Sequence, residues 1–151
     1  MNRQELKRMG LQSVLDKLKK ETHYKDIKVH PKKNIVSIVT NSHEIYLSIK
    51  TKQDFTWPHC IGCIDNHSFL ILVDYEDSDI PDFYILNQDN WKTIVHRRVN
   101  FINSTRTSDK GKRRVDFNGI PYCVYHGHEH AGISISAKLV RFYKDEWNKI
   151  K

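Results

Sequence analysis

The spacing of apolar residues divides the first half of the chain into one helix and several strands. Between Asn2 and Lys20, apolar residues recur every three or four positions with charged and amide residues between them, which predicts an amphipathic helix. After Thr22 apolar and polar residues alternate, as in a strand with one buried face. This alternation predicts three strands, at Ile27 to Val29, Ile35 to Thr40 and Ile45 to Lys52.

Near the middle of the chain, apolar residues follow one another with no alternating polar positions. Residues 69–74 (FLILVD) predict a strand buried on both faces, and residues 83–86 (FYIL) predict the next strand. Residues 88–96 are weakly helical, and residues 132–140 fit either a strand or the start of a short final helix. Taken together, the elements predict a single α/β domain over residues 1–151, a mixed β-sheet flanked by helices.

The length and composition of the chain agree with one domain and bear on where in the cell we expect it. A chain of 151 residues is the usual size of a single domain. It contains no run of about 18 apolar residues, and its first ten residues lack the apolar core of a signal peptide. We therefore expect no membrane partner and a cytoplasmic location. An odd number of cysteines, three, favours free thiols or a metal site over disulfides.

Most of the formal net charge of +7 lies in one stretch, which predicts a basic, flexible segment at about residues 96–118. From His96 to Arg114, Asp109 is the single acidic residue. The basic residues of this stretch are Arg97, Arg98, Arg106, Lys110, Lys112, Arg113 and Arg114. A concentrated basic segment attracts polyanions, of which nucleic acid is the commonest inside cells. The alternative is a solvated loop, since small polar residues lie between the charges.

Lys50 is the first candidate for chemistry. In the third predicted strand, Ile49 and Thr51 face one side of the sheet while Ser48, Lys50 and Lys52 face the other. A lysine in the middle of a strand must find an anion or reach solvent, because an unpaired buried ammonium is costly. The alternative is a half-exposed strand whose lysine extends to water.

The order of elements around Lys50 resembles the PD-(D/E)XK nuclease superfamily. The chain shows a helix, a meander whose third strand carries Ile49-Lys50-Thr51, then Trp57-Pro58, a strand ending in residues 72–74 and the segment 81–85 (PDFYI). The resemblance covers about residues 5–90, with a weaker echo at residues 132–150. It implies a restriction-endonuclease-like fold, binding of double-stranded DNA and Mg²⁺-dependent phosphodiester hydrolysis. It also allows a homo-oligomer.

The resemblance assigns roles to four residues. Lys50 takes the place of the lysine that positions and activates the attacking water. Asn34 falls where the family has a metal-binding aspartate, and Ser48 where it has an acidic residue or glutamine. Glu5 matches the helix glutamate, so Glu5 and Asn34 become candidate Mg²⁺ ligands. The basic segment and Lys52 would then contact the phosphates of DNA.

Two of these positions depart from the family pattern. Asn34 and Ser48 are neutral, whereas a hard divalent cation is held mainly by carboxylates. Three explanations stay open: a natural pseudonuclease that binds DNA, an engineered inactive form, or a site that has moved to other acids such as Glu5, Asp26 or Glu44.

The cysteines offer a rival hypothesis from another class, a non-enzymatic binding module stapled by zinc. Cys60 and Cys63 form a C-x2-C pair, and Cys123 and His126 form a C-x2-H pair, so a fold that joins the two pairs would bind Zn²⁺ tetrahedrally. His126, His128 and His130 also alternate and would share one face of a strand, where they could bind a transition metal. Exposed loop histidines are the simpler interpretation.

Overall fold

A computed structural model describes residues 1–63, 65, 67–105, 112–125 and 127–150. The described residues form a mixed α/β structure. The helices are α1 (Arg3–Glu21), α2 (Gln88–Ser104) and α3 (Ala137–Val140). The strands are β1 (Ile27–His30), β2 (Ile35–Val39), β3 (Glu44–Lys52), β4 (Thr56–Cys60), β5 (Ser68–Asp74), β6 (Asp82–Leu86), β7 (Arg114–Val115), β8 (Pro121–Tyr125), β9 (His128–Ala131) and β10 (Ile133–Ser136). Among these residues, no helix is both long and apolar enough to cross a membrane.

A five-stranded sheet forms the centre of the structure, in the order β1-β2-β3-β5-β6. Strands β3 and β5 run parallel, and the other neighbours are antiparallel. The predicted meander is therefore confirmed as β1, β2 and β3. The prediction of a strand buried on both faces is also confirmed, because six of the seven residues of β5 are buried.

Helix α1 covers one face of this sheet. Its buried residues Val14 and Leu18 belong to a core cluster that includes Val36, Leu47 and Ile71. The helix begins at Asn2, whose side chain accepts a hydrogen bond from the Glu5 amide, while the Glu5 carboxylate accepts one from the Asn2 amide. This capping box satisfies two amide groups that have no partner inside the helix.

On the other face, the described residues cover mainly β5, β6 and the end of β3. Helix α2 and the two-stranded sheet of β4 and β10 pack there, around a second cluster that includes Trp57, Leu72, Trp91 and Ile135. On the β1 to β3 half, this face carries polar side chains, among them Tyr46, Ser48 and Lys50 of β3, which are exposed or half-buried. The uncovered half-sheet brings Lys50 to the protein surface.

Several elements differ from the prediction. Helix α2 continues to Ser104, because Ile94, Val95 and Val99 bury one face against the sheet. The first part of the predicted flexible segment, residues 96–104, is therefore helical, and residues 106–111 lie outside the described residues. The two alternatives for residues 132–140 both occur, since β10 leads directly into α3. Strand β4 and the small sheet of β7, β8 and β9 were not predicted.

Candidate nucleic-acid interface

A cleft of about 230 Å³ lies where the first turns of α1 meet the start of β2 and the end of β3. We call it the Lys50 cleft. Its charged lining consists of four basic side chains, those of Arg3, Lys7, Lys33 and Lys50. Asn34, Thr51 and Pro58 also line it. Among the described residues, none of the four cations forms an ion pair with a carboxylate, so their charge is available to an anion.

Asn34 joins the two strands that hold the cleft. Its backbone lies in the left-handed region, with φ of 54°, which asparagine tolerates better than most residues. Its side-chain amide donates to the Ile49 carbonyl at 2.5 Å, and the Ile49 amide donates to the Asn34 carbonyl at 3.0 Å. These bonds tie the start of β2 to β3 one residue before Lys50, so the position of Asn34 beside Lys50 is built into the sheet.

Lys50 is held by neutral groups. Its Nζ donates to the carbonyl oxygens of Pro58 and His59, both at 3.2 Å. Carbonyl oxygens orient the ammonium group without cancelling its charge. Ser48 lies on the same face of β3, opposite Ile35 of β2, and does not line the cleft.

Glu5 is not brought to the cleft. Its exposed carboxylate accepts the Asn2 amide in the capping box, while α1 presents Arg3, Leu6 and Lys7 to the cleft. The described residues lining the cleft include no carboxylate, although Mg²⁺ in proteins is held by carboxylates. Four neighbouring cations would in addition repel a divalent ion. The side chains predicted to bind Mg²⁺ therefore do not fit that ion.

Lys52 has a different role from the one predicted. Its Nζ lies 2.9 Å from the Asp74 carboxylate and 2.6 Å from that of Glu76, and it also donates to the Asp54 carbonyl at 3.0 Å. The Lys52 side chain is 1% exposed, and its Nζ stands 4.8 Å from the centre of the Trp57 ring. A lysine enclosed in this way cannot reach a phosphate of DNA. The correction follows from the parallel pairing that sets Lys52 beside Asp74.

A second cleft, of about 610 Å³, adjoins the first along β4. We call it the Arg113 cleft. Pro58 lines both clefts, and the lining of the second includes His59, Arg113, Glu129, His130 and Ser134. Asn103 of α2 fixes the backbone of Arg113 through two hydrogen bonds, of 2.8 and 2.9 Å. The Arg113 guanidinium donates to the Cys123 sulfur at 3.1 Å, and its buried Nε has no partner in the described structure.

The other predicted phosphate contacts lie on two elements. Arg97 and Arg98 are on α2, where Arg97 is exposed and Arg98 Nε donates to the Ser134 carbonyl at 3.2 Å. Arg114 is exposed on β7, and Lys112 is half-buried just before that strand. Arg106 and Lys110 lie outside the described residues.

The predicted zinc ligands are not gathered in the described structure. Cys60 and Cys63 are buried in the second core cluster, where their thiols donate to the carbonyls of Trp57 and Leu86. Cys123 is buried in β8 beside Arg113. His126, the fourth predicted ligand, lies outside the described residues. Within the part of the chain that is described, no three His, Cys, Asp or Glu side chains group so as to hold a metal ion.

We expect Cys60 and Cys63 to resist thiol reagents until the protein unfolds. Burial raises the pKa of both thiols to about 12 from an ordinary 9.0, so almost no reactive thiolate forms near neutral pH. As the pH rises, the thiols ionise at a lower pH in the unfolded protein than in the folded protein, and this favours unfolding. The stability that depends on the protonated thiols is therefore complete below pH 9 and is lost as the pH rises toward 12. Labelling of native and urea-unfolded protein, with urea melts near neutral pH and at about pH 10, measures both effects. Rapid labelling of both thiols in the native protein would contradict this.

Sequence reasoning missed three of the four cations of the Lys50 cleft. Arg3 and Lys7 are four residues apart in α1 and so share a helix face, which was a usable signal. Lys33 precedes Asn34 in the turn before β2. No sequence pattern places that turn next to the start of α1, because the contact is made through the tertiary packing of the helix on the sheet.

The basic lining of this surface has the chemistry that suits an anion. The two clefts share Pro58, and the Ser134 carbonyl of the second cleft is held by Arg98. Basic side chains thus follow one another from α1 to α2 along β4 and β10, with Glu129 as the acidic residue among the described lining. Neither the family models, nor the curated proteins, nor the solved structures include a match to this chain.

Proposed function

We propose that the chain is a DNA-binding protein of the PD-(D/E)XK nuclease type, whose Lys50 cleft holds a backbone phosphate of double-stranded DNA without hydrolysing it. One observation carries the proposal: four cations and the Asn34 amide line the cleft, and no described carboxylate does. A nuclease of this type needs carboxylates to bind its metal ion. A phosphate-binding site needs the opposite lining.

The relation to the nuclease superfamily is supported by the placement of two residues. The resemblance assigns the metal-ligand position to Asn34 and the catalytic lysine to Lys50, and both line one cleft. A helix, an antiparallel meander and a parallel strand surround them, as the resemblance implies. A restriction-endonuclease-like fold with neutral residues at the metal positions would account for the order of elements around Lys50. It would also account for the lack of carboxylates in the described lining of the cleft.

A phosphate in the Lys50 cleft would meet complementary donors. Arg3 can offer two parallel N–H groups to phosphate oxygens, and Lys7 and Lys50 supply ammonium groups. Because Arg3 lies in the first turn of α1, the positive end of the helix dipole adds to their attraction.

The adjoining clefts extend the interface beyond a single phosphate. A DNA duplex presents a regular series of phosphates, and a protein binds it through several cations at once. The Lys50 and Arg113 clefts lie on either side of Pro58, and each supplies basic side chains that can contact a phosphate. This succession favours a nucleic-acid backbone over a small free anion.

Binding of a fluorescent DNA duplex tests the proposal. We expect Lys50→Ala to weaken binding about three- to tenfold at low salt and to reduce the slope of log K against log salt by about 1, the loss of one phosphate contact. Lys20→Ala is the matched control, since it removes one exposed charge from the opposite end of α1. Equal losses in both variants would indicate attraction by net charge alone and would overturn a phosphate site at Lys50.

Cleavage is measured on the same samples, with supercoiled DNA and either Mg²⁺ or Mn²⁺. We expect wild-type protein to bind without nicking. Metal-dependent nicking that Lys50→Ala abolishes would contradict the proposed loss of hydrolysis and would show that acids outside the cleft hold the metal. Absence of salt-sensitive binding would overturn the proposed function itself.

A further inference from the structure

A third pocket, of about 320 Å³, lies between α2 and the segment formed by α3 and the turn after it. We call it the Phe101 pocket. Its aromatic and charged lining consists of Arg97, Arg98, Phe101, Lys138, Arg141 and Phe142. No described acidic residue lines it. The pocket thus combines four cations with two aromatic rings.

Both rings are exposed to solvent. Phe101 is 62% exposed and Phe142 is 68% exposed, although a phenylalanine gains most of its stabilising energy by burial. Guanidinium groups stand over the rings: Arg141 lies 4.7 Å from the centre of Phe142 and Arg98 lies 5.9 Å from that of Phe101. Two solvent-exposed aromatic rings that line one concave pocket are typical of a binding site.

The elements that carry these side chains are anchored. Trp91, Val95 and Val99 bury α2 in the second core cluster. Arg98 donates to the Ser134 carbonyl, and Arg141 donates to the Lys138 carbonyl at 3.3 Å. Helix α2 and the guanidinium groups of Arg98 and Arg141 are therefore held in place before any ligand arrives.

We infer that the Phe101 pocket binds an unpaired nucleotide of single-stranded nucleic acid. The base stacks on Phe101 or Phe142, and Arg97, Lys138 and Arg141 bind the adjoining phosphates. Aromatic stacking combined with cations along the backbone is the general mode of single-strand recognition. Bases of a duplex cannot enter, because they are already stacked and paired. The volume lies at the lower end of small-ligand pockets, about 300 to 1,000 Å³, which suits one nucleotide.

This inference rests on the proposed function in one respect, the identity of the partner as nucleic acid. The two sites are linked through β10: Ser134 lines the Arg113 cleft and accepts the hydrogen bond of Arg98, whose side chain lines the Phe101 pocket. DNA that occupies both sites would place a duplex on the two clefts and an unpaired strand at the pocket. The expected ligand is therefore DNA in which a duplex joins an unpaired strand.

Two DNA probes test the inference, a blunt duplex and the same duplex with a single-stranded thymidine tail. We expect the tail to strengthen binding, and we expect Phe101→Ala together with Phe142→Ala to remove that gain, about tenfold, while leaving the affinity for the blunt duplex unchanged. Phe117→Ala is the matched control, because Phe117 is 94% exposed and does not line the pocket. Phe101→Trp, which keeps a ring for stacking, should retain the gain.

The outcomes separate this inference from the proposed function. A tail that adds no affinity, or a double variant that binds the tailed probe as tightly as wild type, overturns the nucleotide pocket while duplex binding stands. Binding of a free thymidine strand that depends on the two rings, without duplex binding, supports the pocket and overturns the proposed function. Ring-dependent binding to vesicles of phosphatidylcholine and phosphatidylserine, without any gain from the tail, assigns the pocket to a lipid surface and overturns the inference.

Discussion

Lys52→Met is expected to lower the free energy of unfolding by about 3 kcal/mol, the low end of the cost of breaking a buried ion pair. The substitution keeps a long side chain but leaves the Asp74 carboxylate, which is 9% exposed, without its 2.9 Å partner. Glu76 is one third exposed, so water compensates for part of its loss. The expected cost comes mainly from the uncompensated charge of Asp74.

Urea unfolding followed by tryptophan fluorescence measures this effect. Asp74→Asn in the Lys52→Met background removes the stranded charge and should recover part of the stability, whereas Lys20→Ala, an exposed control, should change it little. A Lys52→Met protein as stable as wild type would show that the ion pair contributes nothing net.

The comparison with Lys50→Ala is informative because the two lysines lie two residues apart on the same face of β3. Lys50 touches neutral carbonyls at a cleft, and Lys52 is enclosed by acids. We therefore expect opposite phenotypes. The Lys50 variant should bind DNA more weakly with little loss of stability. The Lys52 variant should lose stability, while the molecules that stay folded keep their DNA affinity.

Gly10→Ala is expected to destabilise the protein by about 2 kcal/mol, although alanine is the better helix former by about 1 kcal/mol. A Cβ at Gly10 would stand 1.7 Å from Thr51 Oγ1 and 2.8 Å from Thr51 Cβ. Rotation of the Thr51 side chain cannot move its Cβ, so α1 must shift away from β3. Because α1 carries Arg3 and Lys7, this shift should also weaken DNA binding.

A double-mutant cycle with Thr51→Ala checks the cause. That change removes two of the three Thr51 atoms that the new methyl group would meet, Oγ1 and Cγ2. Gly10→Ala should therefore cost less in the Thr51→Ala background than in wild type. If Gly10→Ala instead stabilises the protein by its helix propensity alone, the close packing of α1 on β3 is not a constraint.

The sequence predicted those elements in which apolar residues recur at a regular spacing. A period of 3.6 marked α1, and a period of two marked β1, β2 and β3, because each period follows from burying one face of a single element. Strand β4 gave no such signal. It is five residues long and contains Pro58, and among the described strands it pairs only with β10, which is far away in the chain.

The candidate site shows the same division. Alternation along β3 placed Lys50 and Lys52 on one face, and this was confirmed by their shared orientation away from the α1 core. Alternation could not tell which lysine stays accessible. Parallel pairing with β5 brought Asp74 beside Lys52, while the carbonyls of Pro58 and His59 held Lys50 at the cleft. The C-x2-C spacing likewise could not show that Cys60 and Cys63 turn into an apolar core.

The sequence by itself therefore determined the α1 helix, the strands of the central sheet, the side of β3 from which Lys50 projects and the excess of positive charge. Tertiary structure alone decided which cations meet: Arg3 and Lys7 of α1, Lys33 of the turn and Lys50 of β3 share one cleft. The physical reason is that local periodicity reports only whether a residue faces the core of its own element. Which charges become neighbours depends on contacts between elements distant in the chain, and no local pattern records those contacts.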